Sequence, residues 1–374
     1  MFKEILLLTP IYVTLFWAIA LNIHSRRYHL PKVFLGWFMV AAFFVYLSHF
    51  FYFTERLTSY FYIDSVYTLA YLLVYPMYHV YVRLLTVDRS FSIGKHFRYF
   101  AVPVFIFLLT VLGYVIAGKK EGERFIVDVL YEGFKPQGLQ VFLYIVFVAG
   151  RVVFLLQTIL YLYLSFKIIR KHNQKLLDYY SNMDERRLTW VQFFNFCFAF
   201  TTVSSAVLAS LGRNLFLQNE WLLIFPSAVF STMLFAIGLL GFNQRATFKE
   251  IDSSYDTSEE GRHTLHLKTQ LEDLFGIEKV FKNPDLKIWD VCEMLGTNRT
   301  YVSKIINREY GRNFCSHVNH YRVENAKLLI KQNKNLTNEQ IAELSGFGTI
   351  NSLYRVFQSH ENISLTQFRK SFND

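Results

Sequence analysis

Seven apolar runs lie ahead of Asn243, near 5–23, 33–54, 61–83, 99–117, 140–166, 190–212 and 221–242. Each is close to the roughly 20 residues that a helix needs to cross the hydrocarbon of a bilayer. No water is available there to a bare N–H or C=O, so a run of this kind must close its own backbone hydrogen bonds as a helix. Residues 1–242 therefore read as a seven-transmembrane-helix domain of an all-α protein. Composition agrees. Of 374 residues, 52% are hydrophobic and 39 are phenylalanine, and a mean hydropathy of +0.22 is too apolar for an ordinary soluble domain. The first run reads as a retained span rather than a cleaved signal, because Lys3 and Glu4 cancel ahead of it while Arg26 and Arg27 follow it.

Charge orients the bundle. The first, third and fifth loops carry Arg26, Arg27 and Lys32; Arg89, Lys95 and Arg98; and Lys167, Arg170, Lys171, Lys175, Arg186 and Arg187. Basic residues collect on the cytoplasmic side. An outward amino terminus followed by seven crossings puts the carboxyl terminus inside, where DNA is. The longest outer loop, 118–139, holds "RFIVDVLYEGF", either a short structured piece or a spacer on the membrane surface.

A charge in hydrocarbon costs about 2.5–3.5 kcal/mol on the lenient insertion scale, which marks ionisable residues inside the runs as functional candidates. Arg151 lies about 11 residues into the fifth run, or roughly 17 Å along the helix, near the midplane. His49 and Asp64 both fall in the outer leaflet, joined by a short hairpin. The three could line a signal-sensing pocket open to the outside. Alternatively, Asp64 and Arg151 pair structurally and His49 bonds a backbone carbonyl. His79 and Arg83, near the inner end of the third run, should snorkel toward phosphates.

Residues 243–262 are polar, lack an apolar period and carry a net charge of −3 up to Gly261, which marks a flexible cytoplasmic linker. Beyond it one helical pattern occurs twice: "DVCEMLGTNRTYVSKIINREYG" from Asp290 to Gly311, and "EQIAELSGFGTINSLYRVFQSHEN" from Glu339 to Asn362. In each, an apolar stripe (Val291, Met294, Leu295; Ile341, Leu344) stops at Gly296 or Gly346, and a second helix begins. The first helix of each carries a small residue, Cys292 or Ala342, that lets the pair approach. The second helix turns Val302, Ile305 and Ile306, or Leu353, Val356 and Phe357, toward the core. Its polar face carries Thr300, Ser303, Lys304 and Asn307 in one copy, and Asn351, Ser352, Tyr354 and Arg355 in the other. Such side chains hydrogen-bond base edges in a major groove.

The pattern predicts helix-turn-helix units over 288–311 and 338–362, joined by one long helix over 313–332 with Phe314, Val318, Tyr321 and Leu328 inward. Leu267, Leu271, Leu274 and Phe275 should open the domain and pack on its first unit. Leu176, Leu177 and Tyr180, beyond the fifth run, are able to pack on a neighbour.

Residues 263–374 resemble the DNA-binding domain of the AraC/XylS family of bacterial transcription regulators. The paired units carry the likeness, together with "YRVENAKLLI" in the joining helix and "GF…LYRVF…NISLTQFRKS" in the tail. The resemblance implies that Thr300, Ser303 and Lys304, with Asn351, Tyr354 and Arg355, enter major grooves. Leu365 stands where the family usually has a proline, which concerns how the last helix begins. The charge from Arg262 to Asp374, a net +4, mildly favours phosphate.

Catalytic chemistry has no anchor. Cys197, Cys292 and Cys315 stand far apart without a C-x-x-C pair, and His263 and His266 lack a third ligand at a telling distance. No zinc-protease, P-loop or nucleophile-elbow motif occurs. Neither enzyme activity, cofactor nor metal is expected. The expected reading is a membrane-bound one-component transcription regulator in a bacterial inner membrane. Its partners would be promoter DNA, the lipid bilayer, a second copy, RNA polymerase and an unidentified signal ligand or membrane partner. The competing reading is a transporter or membrane enzyme with a regulatory helical domain.

Overall fold

A computed structural model describes residues 2–25, 30–88, 90–183, 188–210, 222, 224–243 and 263–371. Arg26, Arg27, Arg89, Arg186, Arg187 and all but the first residue of the expected linker 243–262 lie outside them. The described residues are helical throughout, with a single antiparallel bridge between Tyr180 and Lys287. The chain divides into two compact units. One is Met1–Ile169 with Thr189–Phe248, and the other is Arg170–Leu188 with Lys249–Asp374.

A helix occupies each of the seven expected positions in the first unit. These are α1 (Phe2–Ser25), α2 (Leu30–Phe53), α3 (Leu57–Thr86), α4 (Ile93–Arg124), α5 (Gln140–Leu176), α6 (Thr189–Ser210) and α7 (Ile224–Asn243). Among the described residues, five stretches are long and apolar enough to cross a membrane: Lys3–Ile23, Leu30–Phe53, Ile93–Tyr131, Gln140–Leu176 and Pro226–Asn243. The helix α3 is not among them. It packs on both α2 and α4 and buries Tyr60, Tyr75, Tyr78 and Tyr81, and tyrosine is far less apolar than the leucine an outward face would need. In α6 the described side chains include the apolar stretch Val191–Phe200.

The 118–139 segment is structured. Gly118 bends α4 at φ +72°, and a π-helical turn, Phe125–Tyr131, follows. Phe125, Ile126 and Val129 are buried in one cluster with Tyr60 and Leu143. Arg83 meets Asp88 through two bonds, 2.7 and 3.3 Å, with Lys95 and His96 on the same carboxylate. His79, expected to snorkel, is instead buried with Nδ1 3.0 Å from Ser165 Oγ.

The second unit contains α8 (His263–Gly276), a 3₁₀ turn (Val280–Lys282), α9 (Ile288–Met294), α10 (Arg299–Tyr310), α11 (Phe314–Gln332), α12 (Asn338–Leu344), α13 (Ile350–Glu361) and α14 (Leu365–Lys370). Two cores share α11. Its first half gives Phe314, Cys315 and Val318 to a core with Leu267, Leu271, Leu274 and Phe275 of α8, Val291 of α9 and Val302, Ile305 and Ile306 of α10. Its second half gives Val323, Ala326 and Ile330 to a core with Ile341, Leu353, Phe357 and Phe368.

The first of these cores also contains Leu176, the last residue of α5, and Tyr179, Tyr180 and Met183 from the stretch that follows it. Backbone bonds fix that stretch. Ser181 N donates to Leu286 O (3.2 Å), Ile288 N to Tyr179 O (3.0 Å) and Cys315 N to Leu177 O (2.9 Å). Burying four side chains of this size contributes about 1.5–3 kcal/mol each before the entropy of ordering them is subtracted.

Candidate nucleic-acid interface

Local chemistry builds the two helix-turn-helix units alike. Asp290 accepts from Lys287 N at 2.7 Å to start α9, and Thr337 and Gln340 exchange reciprocal bonds to start α12. Each first helix ends at a left-handed glycine, Gly296 at φ +60° and Gly346 at φ +80°. At Gly346 a Cβ would lie 2.4 Å from Phe281 O, so no side chain fits. Asn298 caps α10 by accepting from Tyr301 N at 3.2 Å, and Thr349 caps α13 by accepting from Ser352 N at 3.1 Å. Both recognition helices end left-handed, at Gly311 and Asn362. The second turn is longer, and Phe347 fills it as a buried residue.

On α10, Thr300 and Asn307 are exposed and Ser303 and Lys304 are half-buried, with Asn307 Nδ2 donating to Ser303 Oγ at 3.2 Å. These four recur at three and four residues and so share a face. On α13, Asn351, Tyr354 and Arg355 are exposed. Ser352 departs from its expected place: it is 6% exposed and lines a small cleft with Ser181, Arg322 and Phe347. Its position, one before Leu353, turns it toward the core side of α13.

Three apolar residues expected inside are exposed: Met294 at 54%, Leu344 at 45% and Leu328 at 54%. Met294 and Leu344 each end a seven-residue helix, on a different side of it from Val291 and Ile341, which enter the core.

Several side chains that periodicity did not single out hold the recognition helices. Asn338 Nδ2 donates to the Tyr354 hydroxyl at 2.9 Å, and Arg369 grips Asn338 Oδ1 and donates to Leu336 O at 2.8 Å. Arg322, inside the "YRVENAKLLI" stretch, is 1% exposed. Its Nε donates to Phe281 O at 2.8 Å, and its Nη2 donates to both Asn283 O at 2.7 Å and Ser181 Oγ at 3.1 Å. Phe347 of the second turn lies 5.8 Å from the guanidinium. Burial lowers the Arg322 pKa to about 10, which leaves it charged at neutral pH. A run of alternating apolar and polar residues in a helix does not announce a buried cation. The only signal was an arginine on the face of α11 that Val318 and Val323 also occupy.

Leu365 takes the first position of α14 and is buried, and Ser364 caps the helix by accepting from Gln367 N at 3.2 Å. The capping box replaces a proline's preset φ as the means of starting the helix.

The three candidate sensing residues of the first unit take separate partners. His49 Nε2 lies 3.3 Å from the Tyr67 hydroxyl, Asp64 is buried and accepts from the Tyr114 hydroxyl at 2.7 Å, and the Arg151 guanidinium sits 4.5 Å from the Phe147 ring centroid with its side chain exposed.

The helix-turn-helix domain family matches residues 291–371. The uncharacterized transcriptional regulatory protein YesN of Bacillus subtilis (strain 168) is 30% identical over 90 residues, which is 24% of this chain and 24% of that protein. The crystal structure of the C-terminal domain of the two-component response regulator yesN from Fusobacterium nucleatum is 26% identical, with 28% of this chain and 96% of that one covered and a TM-score of 0.25. The carboxyl-terminal region thus carries an AraC-type helix-turn-helix domain, the module of a DNA-binding regulator. The chain spans about a quarter of the length of its Bacillus relative.

Proposed function

We infer, from an AraC-type helix-turn-helix domain carried by the same chain as a bundle of long apolar helices, that this protein is a membrane-bound one-component transcription regulator. The DNA-contacting set is Thr300, Ser303, Lys304 and Asn307 on α10 with Asn351, Tyr354 and Arg355 on α13. Ser352 is left out because its burial removes it from a groove. Supporting the bilayer are rows of exposed apolar side chains, such as Phe105, Leu108 and Leu112 on α4 and Leu155, Leu156 and Ile159 on α5, which water would solvate poorly. The positive-inside bias supports an outward amino terminus and a cytoplasmic DNA-binding domain. A second copy and RNA polymerase are the further partners of this reading.

The observation that carries the reading is the continuity of α5. Its apolar length lies in the first unit, and from Arg170 the same helix belongs to the second, where Leu176 is fully buried. The chain thus enters the DNA-binding unit twice, at 170–188 and again from 249 onward. Coupling then has a route through α5 besides the linker after Phe242. Two arrangements of the membrane helices, biased by a signal, would alter the helix whose end is part of the DNA-binding unit's core. Cleavage of the linker alone would leave Leu176, Tyr179, Tyr180 and Met183 in that core, which favours tethered action over release of a soluble factor.

The test is genome-wide crosslinking and immunoprecipitation of the full-length chain beside a Lys304→Ala/Arg355→Ala variant of matched membrane abundance. Discrete sites sharing a sequence motif, lost in the variant, are expected. An absence of sites for the native chain, with and without candidate signals, would turn the reading toward a protein-interaction module.

A further inference from the structure

The mechanism above makes no use of a cluster on the far side of α11 from Arg322's carbonyl partners. His320 and Glu324 stand four residues apart on α11 and so share a face, and His360 is the penultimate residue of α13. His320 and His360 are separated by 40 residues in sequence, yet His320 Nδ1 lies 3.1 Å from His360 Nε2. One ligand atom from each of the three residues lies within 4.8 Å of those of the other two. We propose that His320, Glu324 and His360 bind a divalent transition-metal ion, zinc by ligand type, which ties the end of the second recognition helix to the joining helix.

Geometry argues for it first. Two imidazole nitrogens each about 2.0–2.1 Å from a tetrahedral zinc lie roughly 3.4 Å apart, so the observed 3.1 Å needs only a small separation of the rings. The set beyond the ligands is also in place. His360 Nδ1 lies 3.1 Å from Glu361 Oε1 and donates to it, leaving the Nε2 lone pair turned toward His320. A carboxylate on the far nitrogen is the usual orienting partner of a metal-bound histidine. Lys327 holds Glu361 at 3.1 Å and also reaches Glu324 Oε1 at 2.9 Å, so an ion would share Glu324 with it or take the other oxygen. Two nitrogens and one oxygen suit zinc, with nickel, cobalt and copper as chemical relatives, and leave a fourth position for water.

Chelator-stripped full-length protein in detergent would be titrated with Zn²⁺ by calorimetry and with Co²⁺ by visible absorbance, beside a His320→Ala/His360→Ala variant. The native chain is expected to take up one equivalent more than the variant and to show cobalt d–d bands that the variant lacks. Glu361→Gln, which leaves all three ligands, should weaken binding about 10–100-fold. His320 is half-buried and His360 exposed, so the variant is expected to stay folded, which circular dichroism in chelator checks. If it unfolds, Glu324→Gln carries the same comparison. Equal uptake by native and variant chains, or no uptake by the native chain, overturns the proposal. The readout does not involve promoter binding, so this site and the regulator reading stand or fall separately.

Discussion

Replacing Tyr180 with alanine should damage the DNA-binding unit from a position that sequence order assigns to the membrane bundle. Tyr180 is 0% exposed in the core built by α8 to α11, beside Leu176 and Tyr179. Its neighbour Ser181 donates to Leu286 O across 105 residues of sequence. Truncating a fully buried aromatic ring to a methyl group costs about 3–5 kcal/mol, the larger value applying where the surroundings cannot close the cavity. Tyr180 is held on both sides by backbone bonds, at Tyr179 O and Ser181 N, so closure is limited and the upper half of that range is expected. At 1.4 kcal/mol per decade this shifts the local folding equilibrium by roughly a thousandfold. Hydrogen exchange of the full-length chain in detergent reads it directly. Amides of α9, α10 and the first half of α11 should lose protection by that amount, those of α1 and α2 should not, and promoter binding should weaken. A change in α9–α11 of under about 1 kcal/mol would refute the placement of Leu176, Tyr179, Tyr180 and Met183 in that core.

Further outcomes follow from individual contacts. Gly346→Ala should cost more than the roughly 1–2 kcal/mol of a left-handed alanine, because its Cβ would also strike Phe281 O, whereas Gly296→Ala, with nothing within 4 Å, should cost only that strain; thermal unfolding compares them. Lys304→Ala and Arg355→Ala should each lower operator affinity by about 1–3 kcal/mol if they read bases, and reduce the salt slope by about one unit if they neutralise phosphate; titration at several salt concentrations separates the two. His317 is buried among Phe275, Tyr310 and Tyr321, and burial, with Arg312, holds its pKa down to about 4. Its unfolded value is about 6.5, so the unfolded chain binds the extra proton first and stability falls as pH drops from about 6.5 to 4, by up to about 3 kcal/mol. His317→Phe should flatten this part of a stability–pH curve, and an unchanged curve would show that His317 is not its source.

How much was legible in the sequence depends on how local the cause was. The turns were written in glycines that adopt positive φ, Gly296 and Gly346, which act within a few residues, whereas the caps Asn298 and Thr349 were not singled out before the structure located the helix starts. Inward faces were legible at stripe centres, as with Val302, Ile305 and Ile306, and less so at edges. Met294, Leu328 and Leu344 sit at such edges, where exposure depends on how far the neighbouring element extends. Ser352 failed for the same reason in reverse. The fit of a polar residue to a recognition face says nothing of the cleft that Ser181 and Phe347 form beside it.

By itself the sequence determined that this chain is all-helical, with a run of apolar helices ahead of two repeated helix-turn-helix units, because hydropathy and helical period are properties of neighbours along the chain. Only the tertiary structure decided that 170–188 belongs to the DNA-binding unit, that Arg322 is its buried clamp, and that His320 and His360 meet. Each of these joins residues 39 to 141 positions apart. Contacts at that range are chosen by which surfaces exclude water together and which carbonyls a buried cation can satisfy, and no local pattern encodes either.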